Sequence, residues 1–368
     1  MMIDYDHKSS LASVIGALPA GGRRLNAVGT MRRHGPRGDN IVKKHSAVIA
    51  ALVAAGLSCM APAQGRAETF QIGFVPKVIG IPYFSAMQQG FLKGGRAFDA
   101  RIVYQGPTTS SVAAQAQIVQ SLINRKLDAV AVAANSPTAL EAQAVHARER
   151  GVIFASTDSQ VDGDAVDLRV MQATDEALAH TLVDQLATQI PDGGQIAFVS
   201  GGPTATNLNM WISLMKSYLA AKFPKFQLVS VQYAGEDISK ATEITSQILS
   251  AYPGLKGIIG VNTTATPGAA QAVLQAGLAG KIAITGIDDP NTIRPYVLNG
   301  TVKSAVLWNP VDLGYLTVWG LTQLLQHKPL QVQNPVPGLG TITYDPKTKT
   351  LLLGQPMVFT KENISLDF

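Results

Sequence analysis

Asp128–Ala134 reads DAVAVAA and Gly151–Ser156 reads GVIFAS. Both runs are apolar without the strict alternation of a strand that has one face in water, which suits strands covered on both faces in a parallel sheet. Similar short runs recur on either side. Phe70–Val75, Arg101–Tyr104, Ala129–Ala134, Val152–Ser156 and Leu168–Met171 precede Thr174, and Gln195–Ser200, Leu228–Tyr233, Gly257–Val261, Ile282–Gly286 and Ser304–Trp308 follow it. Amphipathic segments lie between them. Val112, Ala116, Val119 and Ile123 keep one helical face apolar, Leu178, Leu182, Gln185 and Gln189 do so less cleanly, and Thr266-Pro267 offers an N-cap followed by a first-turn proline. Strand alternating with helix predicts α/β layers with right-handed crossovers. Because the pattern runs twice, two similar doubly wound parallel-sheet lobes are expected.

In open parallel sheets, ligands sit beyond the carboxyl ends of the strands. The loops there read Pro76-Lys77, Asn135-Ser136-Pro137, Asp158-Ser159-Gln160, Gly202-Pro203-Thr204, Asn262-Thr263-Thr264, Asp288-Asp289-Pro290 and Asn309-Pro310. They are rich in Asp, Asn and Thr, and two lobes facing one another would gather these groups into one cleft.

Residues 43–63, KKHSAVIAALVAAGLSCMAPA, carry a basic start, an apolar run too short to span a bilayer and a small-x-small end. These are the parts of a secretory signal peptide, so residues 1–63 are read as a leader and the mature chain as starting near Gln64. Initiation at Met31 would give a leader of more usual length, an uncleaved anchor is the alternative, and Leu57 lies one place off the pattern that lipidation of Cys59 needs. The leader also explains the charge. The whole chain has 30 basic and 25 acidic residues, but eight Lys or Arg and only three Asp fall in residues 1–63, which leaves 22 of each sign downstream. The net charge of +5 therefore says nothing about nucleic acid or membrane surfaces as partners. The single cysteine excludes an internal disulfide and a cysteine zinc site, and it leaves with the leader.

No nucleophile elbow, zinc-binding His pair, Walker loop or dinucleotide fingerprint is present. His146 and His180 fall inside predicted helices, away from strand ends, and His327 is the only other histidine beyond the leader. Enzymatic chemistry would rest on carboxylates such as Asp158 and Asp288. Isolated carboxylates beside Asn, Thr and Trp are better suited to accepting hydrogen bonds from ligand hydroxyls. The reading is a non-enzyme, with no catalytic residue, metal or cofactor.

Residues 70–90, 106–137, 157–160 (TDSQ), 206–211 (TNLNMW), 285–291 (TGIDDPN) and 307–315 (LWNPVDLGY) resemble the type 1 periplasmic sugar-binding proteins, most closely the rhamnose-binding and autoinducer-2-binding branch. The resemblance runs from Phe70 to Phe368. It implies two lobes joined by a multi-crossing hinge, a soluble periplasmic receptor that closes on a small sugar or polyol, and delivery to an inner-membrane ATP-driven (ABC) permease. It further implies that Lys77 contacts ligand oxygens and that Asp158 accepts ligand hydroxyls. T-N-x-N-x-W places Asn207 and Asn209 as the rhamnose-type proteins do, whereas autoinducer-2 receptors have an acidic residue followed by glutamine at the Asn207-Leu208 pair. Val261, before Asn262-Thr263, stands where the autoinducer-2 pattern has proline, and Asp288 where that pattern has a small hydroxyl residue. A rhamnose-like deoxyhexose or related monosaccharide is thus preferred to autoinducer-2. Asn309 follows Trp308 in the rhamnose-type W-N-P-x-D-L-G segment.

Sugar rings pack C–H patches on aromatic faces, so Tyr83, Phe84, Trp211 and Trp308 complete the candidate set, with Leu208 and Val261 as apolar contacts. Lys77 and Asp158 have bland alternatives, a solvated turn lysine and an N-cap or turn carboxylate, and each aromatic could be core. Residues 64–173 with about 309–335 are expected in the first lobe, and 174–308 with about 336–368 in the second. Chain crossings are expected near Thr174, Asp288–Asn291 and Asn309-Pro310. A monomer without nucleic-acid partners is expected. A repressor would need a DNA-reading helix pair before Thr69, an enzyme acting on phosphorylated sugars would need a basic cluster in these loops, and a signalling receptor would need a further domain; none of these features is found.

Overall fold

The computed structural model describes residues 69–365, so the leader, with its alternative starts and Cys59, lies outside the described residues. The repetition is realised as two sheets. β1 (Phe70–Val75), β2 (Ala100–Tyr104), β3 (Ala129–Val132), β4 (Ile153–Thr157) and β5 (Leu168–Met171) pair in parallel in the order β2-β1-β3-β4-β5. In the second sheet β6 (Gly194–Ser200), β7 (Phe226–Tyr233), β8 (Leu255–Gly260), β9 (Ala283–Ile287) and β10 (Ser304–Leu307) repeat that order as β7-β6-β8-β9-β10. Chain direction from strand to strand reverses at β1/β3 and again at β6/β8, the two places where such sheets open a crevice.

The helices are α1 (Pro82–Ala97), α2 (Val112–Asn124), α3 (Glu141–Glu149), α4 (Asp175–Gln189), α5 (Thr206–Lys222), α6 (Ile238–Ala251), α7 (Ala265–Gln275), α8 (Pro290–Leu298) and α9 (Pro310–Leu325). They explain why the strands do not alternate. On one face of the first sheet Val75, Val130, Val132 and Phe154 pack against Val119, Leu122 and Ile123 of α2 and Ala144 and Ala147 of α3. On the other, Ile72, Phe74, Ala129 and Ala131 share a core with Met87 and Phe91 of α1 and Leu313 and Leu316 of α9.

The α1–α9 contact is close enough to require glycine. A Cβ at Gly90 would stand 2.0 Å from the Val311 carbonyl oxygen, and one at Gly314 would stand 2.3 Å from that of Met87. This backbone-to-backbone seam returns the chain to the first lobe directly after β10 and fixes Trp308 and Asn309 at the crossing.

Three expectations are corrected. Helix α7 starts at Ala265 with Thr264 at the N-cap, two residues earlier than Thr266; the Thr266 hydroxyl instead donates to the Ile287 carbonyl at 2.7 Å, tying α7 to β9. The return to the second lobe does not come at 336. β11 (Gln333–Val336), β12 (Gly340–Asp345) and β13 (Thr350–Leu352) extend the first sheet beyond β5, and of the described C-terminal residues only β14 (Met357–Phe359) joins the second, antiparallel to β10. The cause is apolar: Val336, Ile342 and Leu351 are buried although their neighbours are largely exposed. The chain therefore crosses between lobes at 172–174, 308–309 and 353–356, whereas Asp288–Asn291 links β9 to α8 inside one lobe.

Candidate functional site

The strand ends of both lobes converge on a cavity of about 320 Å³, its mouth included. Lys77, Tyr83, Phe84 and Asp158 come from the first lobe, Asn207, Trp211 and Asn262 from the second, and Trp308 from a crossing. Ile81, Leu208, Glu236, Val261, Thr263 and Ile287 complete the lining.

Lys77 follows β1 and is held there by its surroundings. Gln115, buried on α2, donates to the carbonyls of Pro76 (2.9 Å) and Ala133 (2.7 Å), clamping the ends of β1 and β3 together. Its own carbonyl accepts from the Asn135 N–H at 2.9 Å, and the Asn135 amide donates to the Lys77 carbonyl at 2.8 Å. The Lys77 ammonium, itself buried, lies 3.6 Å from Asp158 Oδ2 and donates to Asn207 Oδ1 at 3.0 Å. Asn207 Nδ2 donates in turn to the Asp158 carbonyl at 3.3 Å.

Asp158 closes β4 with φ at +66°, a left-handed conformation that is uncommon for a residue with a side chain and that concentrates at functional sites. Its Oδ1 accepts from the Tyr83 hydroxyl at 2.6 Å, and that hydroxyl accepts from Trp308 Nε1 at 2.9 Å. Burial, then the adjacent Asp158 charge, pushes the Tyr83 phenol well above its ordinary range, so it stays protonated and donating.

The indoles have no donor left for a ligand. Trp211 Nε1 donates to Asp175 at 2.7 Å and Trp308 Nε1 is taken by Tyr83, so both offer ring surface only. Tyr83 and Trp308 meet edge to face with centroids 5.8 Å apart, as do Trp211 and Trp308 at 5.9 Å, making a rigid aromatic wall. Polar groups on one side and aromatic faces on the other can hold a small molecule with hydroxyls at its rim and apolar C–H faces.

Three sequence candidates stand apart from the cavity. Asn209 lies on the exposed side of α5, where it donates to the Pro203 carbonyl (2.8 Å) and accepts from Tyr233 (3.2 Å). Asn309 is spent as the N-cap of α9, accepting from the Asp312 N–H at 3.1 Å. Asp288 is wholly buried behind Ile287; its Oδ1 accepts from the Asp289 N–H at 2.7 Å and burial raises its pKa well above the carboxylate range. His146 and His180 lie in α3 and α4, His180 stacked on Tyr218, and neither lines the cavity.

The residue that the strand-end reading missed is Glu236. It sits in the loop after β7, which that reading passes over, and it is followed by Asp237, which caps α6.

Against known proteins, the family model for the periplasmic binding protein domain matches residues 72–329. The chain belongs to this family. As a periplasmic binding protein it has the type 1 fold, two α/β lobes with parallel sheets. The D-allose-binding periplasmic protein of Escherichia coli (strain K12) is 25% identical over 252 residues, which cover 65% of this chain and 79% of that protein. The D-ribose/D-allose-binding protein of Pseudomonas aeruginosa is 26% identical over 267 residues, 69% of this chain and 83% of its own. Among solved structures, an ABC transporter solute binding protein from Clostridium phytofermentas with bound L-rhamnose superposes with a TM-score of 0.77 at 27% identity, over 81% of this chain and 97% of that one. LsrB from Clostridium saccharobutylicum, in complex with AI-2, matches this periplasmic binding protein with the same TM-score of 0.77 at 24% identity, over 81% and 100% of the two chains, and attests the fold.

Proposed function

We propose that this chain is the periplasmic receptor of an ABC importer, capturing a monosaccharide between its lobes and handing it to an inner-membrane permease. The observation that carries the reading is the construction of the cavity: Lys77, Asp158 and Asn207 bring polar groups from both lobes, while Trp211 and Trp308 offer only ring faces. The ligand stabilises the closed arrangement because only that arrangement lets both lobes touch it at once. A rhamnose-like deoxyhexose is the preferred ligand, its methyl group facing Leu208 and Val261. Support comes from the L-rhamnose-bound relative and from the curated relatives that bind D-allose and D-ribose.

A thermal-shift panel of L-rhamnose, other aldoses, erythritol-type polyols and autoinducer-2 tests this, since a ligand that binds only the folded state raises the melting temperature. At 100 times Kd the stabilisation is about 2.7 kcal/mol, a shift of several degrees. A shift with autoinducer-2 and none with any sugar overturns the preference. Small-angle scattering with the best ligand then has to show compaction for hinge closure to stand.

A further inference from the structure

We propose that Glu236 is a specificity-determining residue, the second lobe's carboxylate facing the ligand, and that with Asp158 it selects neutral polyhydroxy ligands over acidic sugars. This rests on the sugar-receptor reading above and narrows its substrate class.

The donor and acceptor count leads to Glu236. Asn262, the expected ligand contact at the end of β8, has its amide committed: Oδ1 accepts from the Ala265 N–H at 3.0 Å, which fixes the orientation of the group, and Nδ2 donates to Thr264 Oγ1 at 2.9 Å and to Glu236 Oε2 at 2.7 Å. Both N–H bonds of that amide are used. Asn262 is therefore a positioning residue, and what it positions is the Glu236 carboxylate. Among the described residues Glu236 Oε1 accepts no hydrogen bond and forms no ion pair, yet Glu236 lines the cavity.

The fold makes room for this arrangement at Gly201, where β6 ends. A Cβ there would stand 2.6 Å from Asn262 Nδ2 and 2.9 Å from Glu236 Oε1. The strand end is thus shaped around the Asn262–Glu236 pair.

The charges then define the ligand class. Among the described residues Lys77 is the only cation lining the cavity, and it already faces Asp158 and Asn207; Asp158 and Glu236 bring one carboxylate from each lobe. Burial raises the Glu236 pKa, with the Lys77 charge opposing the rise and the Asp158 charge adding to it, so the two carboxylates sense one another across the cavity. A ligand carboxylate or phosphate would add a third negative group to a space lined by a single ammonium, whereas hydroxyls can donate to both lobes.

The test is isothermal titration of the wild type, Glu236→Gln and Glu236→Ala with the panel sugar that binds most tightly, and with D-glucuronate and D-galacturonate by direct or competitive titration. In Glu236→Gln, Asn262 holds the side-chain carbonyl of the new amide and turns its NH2 to the ligand, replacing an acceptor by a donor. The neutral sugar is expected to bind roughly 10- to 100-fold more weakly to E236Q, the range for losing a hydrogen bond to a charged group. The preference for neutral sugar over uronate is expected to shrink at least tenfold. A merely structural role would weaken both ligands alike and leave that ratio unchanged, which overturns the proposal; Glu236→Ala makes the same distinction if E236Q does not fold. Neutral-sugar affinity in E236Q within threefold of a wild type that binds sugar overturns this inference alone. A wild type that binds no neutral polyhydroxy compound overturns the sugar reading and this inference with it.

Discussion

Lys77, at the end of β1 in the first lobe, donates to the side chain of Asn207, in the first turn of α5 in the second, at 3.0 Å. The same amide donates back to the Asp158 carbonyl, so one second-lobe side chain engages two first-lobe strand ends. Asn207→Ala leaves Lys77 with Asp158 alone and removes both contacts. Ligand affinity is expected to fall roughly tenfold or more, mainly through faster dissociation, because one charge-assisted hydrogen bond contributes about 1.5–3 kcal/mol. Stopped-flow fluorescence checks this, and an unchanged dissociation rate contradicts it.

Tyr83 connects the carboxylate to the aromatic wall, donating to Asp158 at 2.6 Å and accepting from Trp308 at 2.9 Å. Tyr83→Phe keeps the ring and its edge-to-face contacts but leaves a buried indole N–H unpaired and one Asp158 oxygen short of a donor. The expected loss is about 1–3 kcal/mol of stability, together with a shift of Trp308 emission that the wild type does not show. Chemical denaturation and the emission maximum measure the two effects; if neither moves, the hydrogen-bonded chain does not hold as described.

Much of this was legible in the sequence, for a physical reason. Strands covered on both faces, such as β3 and β4, are continuous apolar runs, and all ten runs read from the chain became strands with ends within two residues of those expected. β11, β12 and β13 were not legible because few of their residues are buried, so that only single residues such as Leu351 mark their buried face. At the site, residue type located the loops but could not say which side chains were already committed. Asn309 and Asn262 are the same residue type at similar strand ends, yet one is consumed by a helix cap and the other by a neighbouring carboxylate. Glu236 had no apolar pattern or motif to mark it. Its role emerges only when Gly201, Asn262 and the cavity are seen together.

The α1–α9 seam determines where Trp308 and Asn309 stand, and it depends on an absent side chain. Gly314→Ala places a methyl group 2.3 Å from the Met87 carbonyl oxygen and 3.0 Å from the Phe91 nitrogen, both backbone atoms that cannot swing aside. The helices must separate, opening the core around Phe91 and Leu316. A loss of about 3 kcal/mol or more is expected, at the upper end of overpacking costs, with ligand affinity falling as Trp308 shifts. Thermal unfolding followed by circular dichroism checks it; a melting temperature within one or two degrees of wild type would mean that the seam is softer than its geometry implies.

Asp288 gives the fold a pH dependence whose sign follows from its burial. Among the described residues its Oδ2 has no hydrogen-bond partner and its Oδ1 has only the Asp289 N–H, and desolvation lifts its pKa well above 3.8. The unfolded chain holds this group near the ordinary value of about 3.9, so between that value and the raised one the folded protein binds the extra proton. Stability from this group is fully present below about pH 4 and is lost as pH rises towards the raised pKa. Asp288→Asn keeps the acceptor for the Asp289 N–H and cannot ionise. The stability of Asp288→Asn relative to wild type is therefore expected to grow with pH across that window, by up to about 1.4 kcal/mol per pH unit, and then to level off. Urea unfolding of both proteins between about pH 4 and pH 8 reads the difference directly. A difference that stays flat with pH would mean that Asp288 is ionised in the folded protein, and its burial would then need a compensating partner that the geometry does not supply.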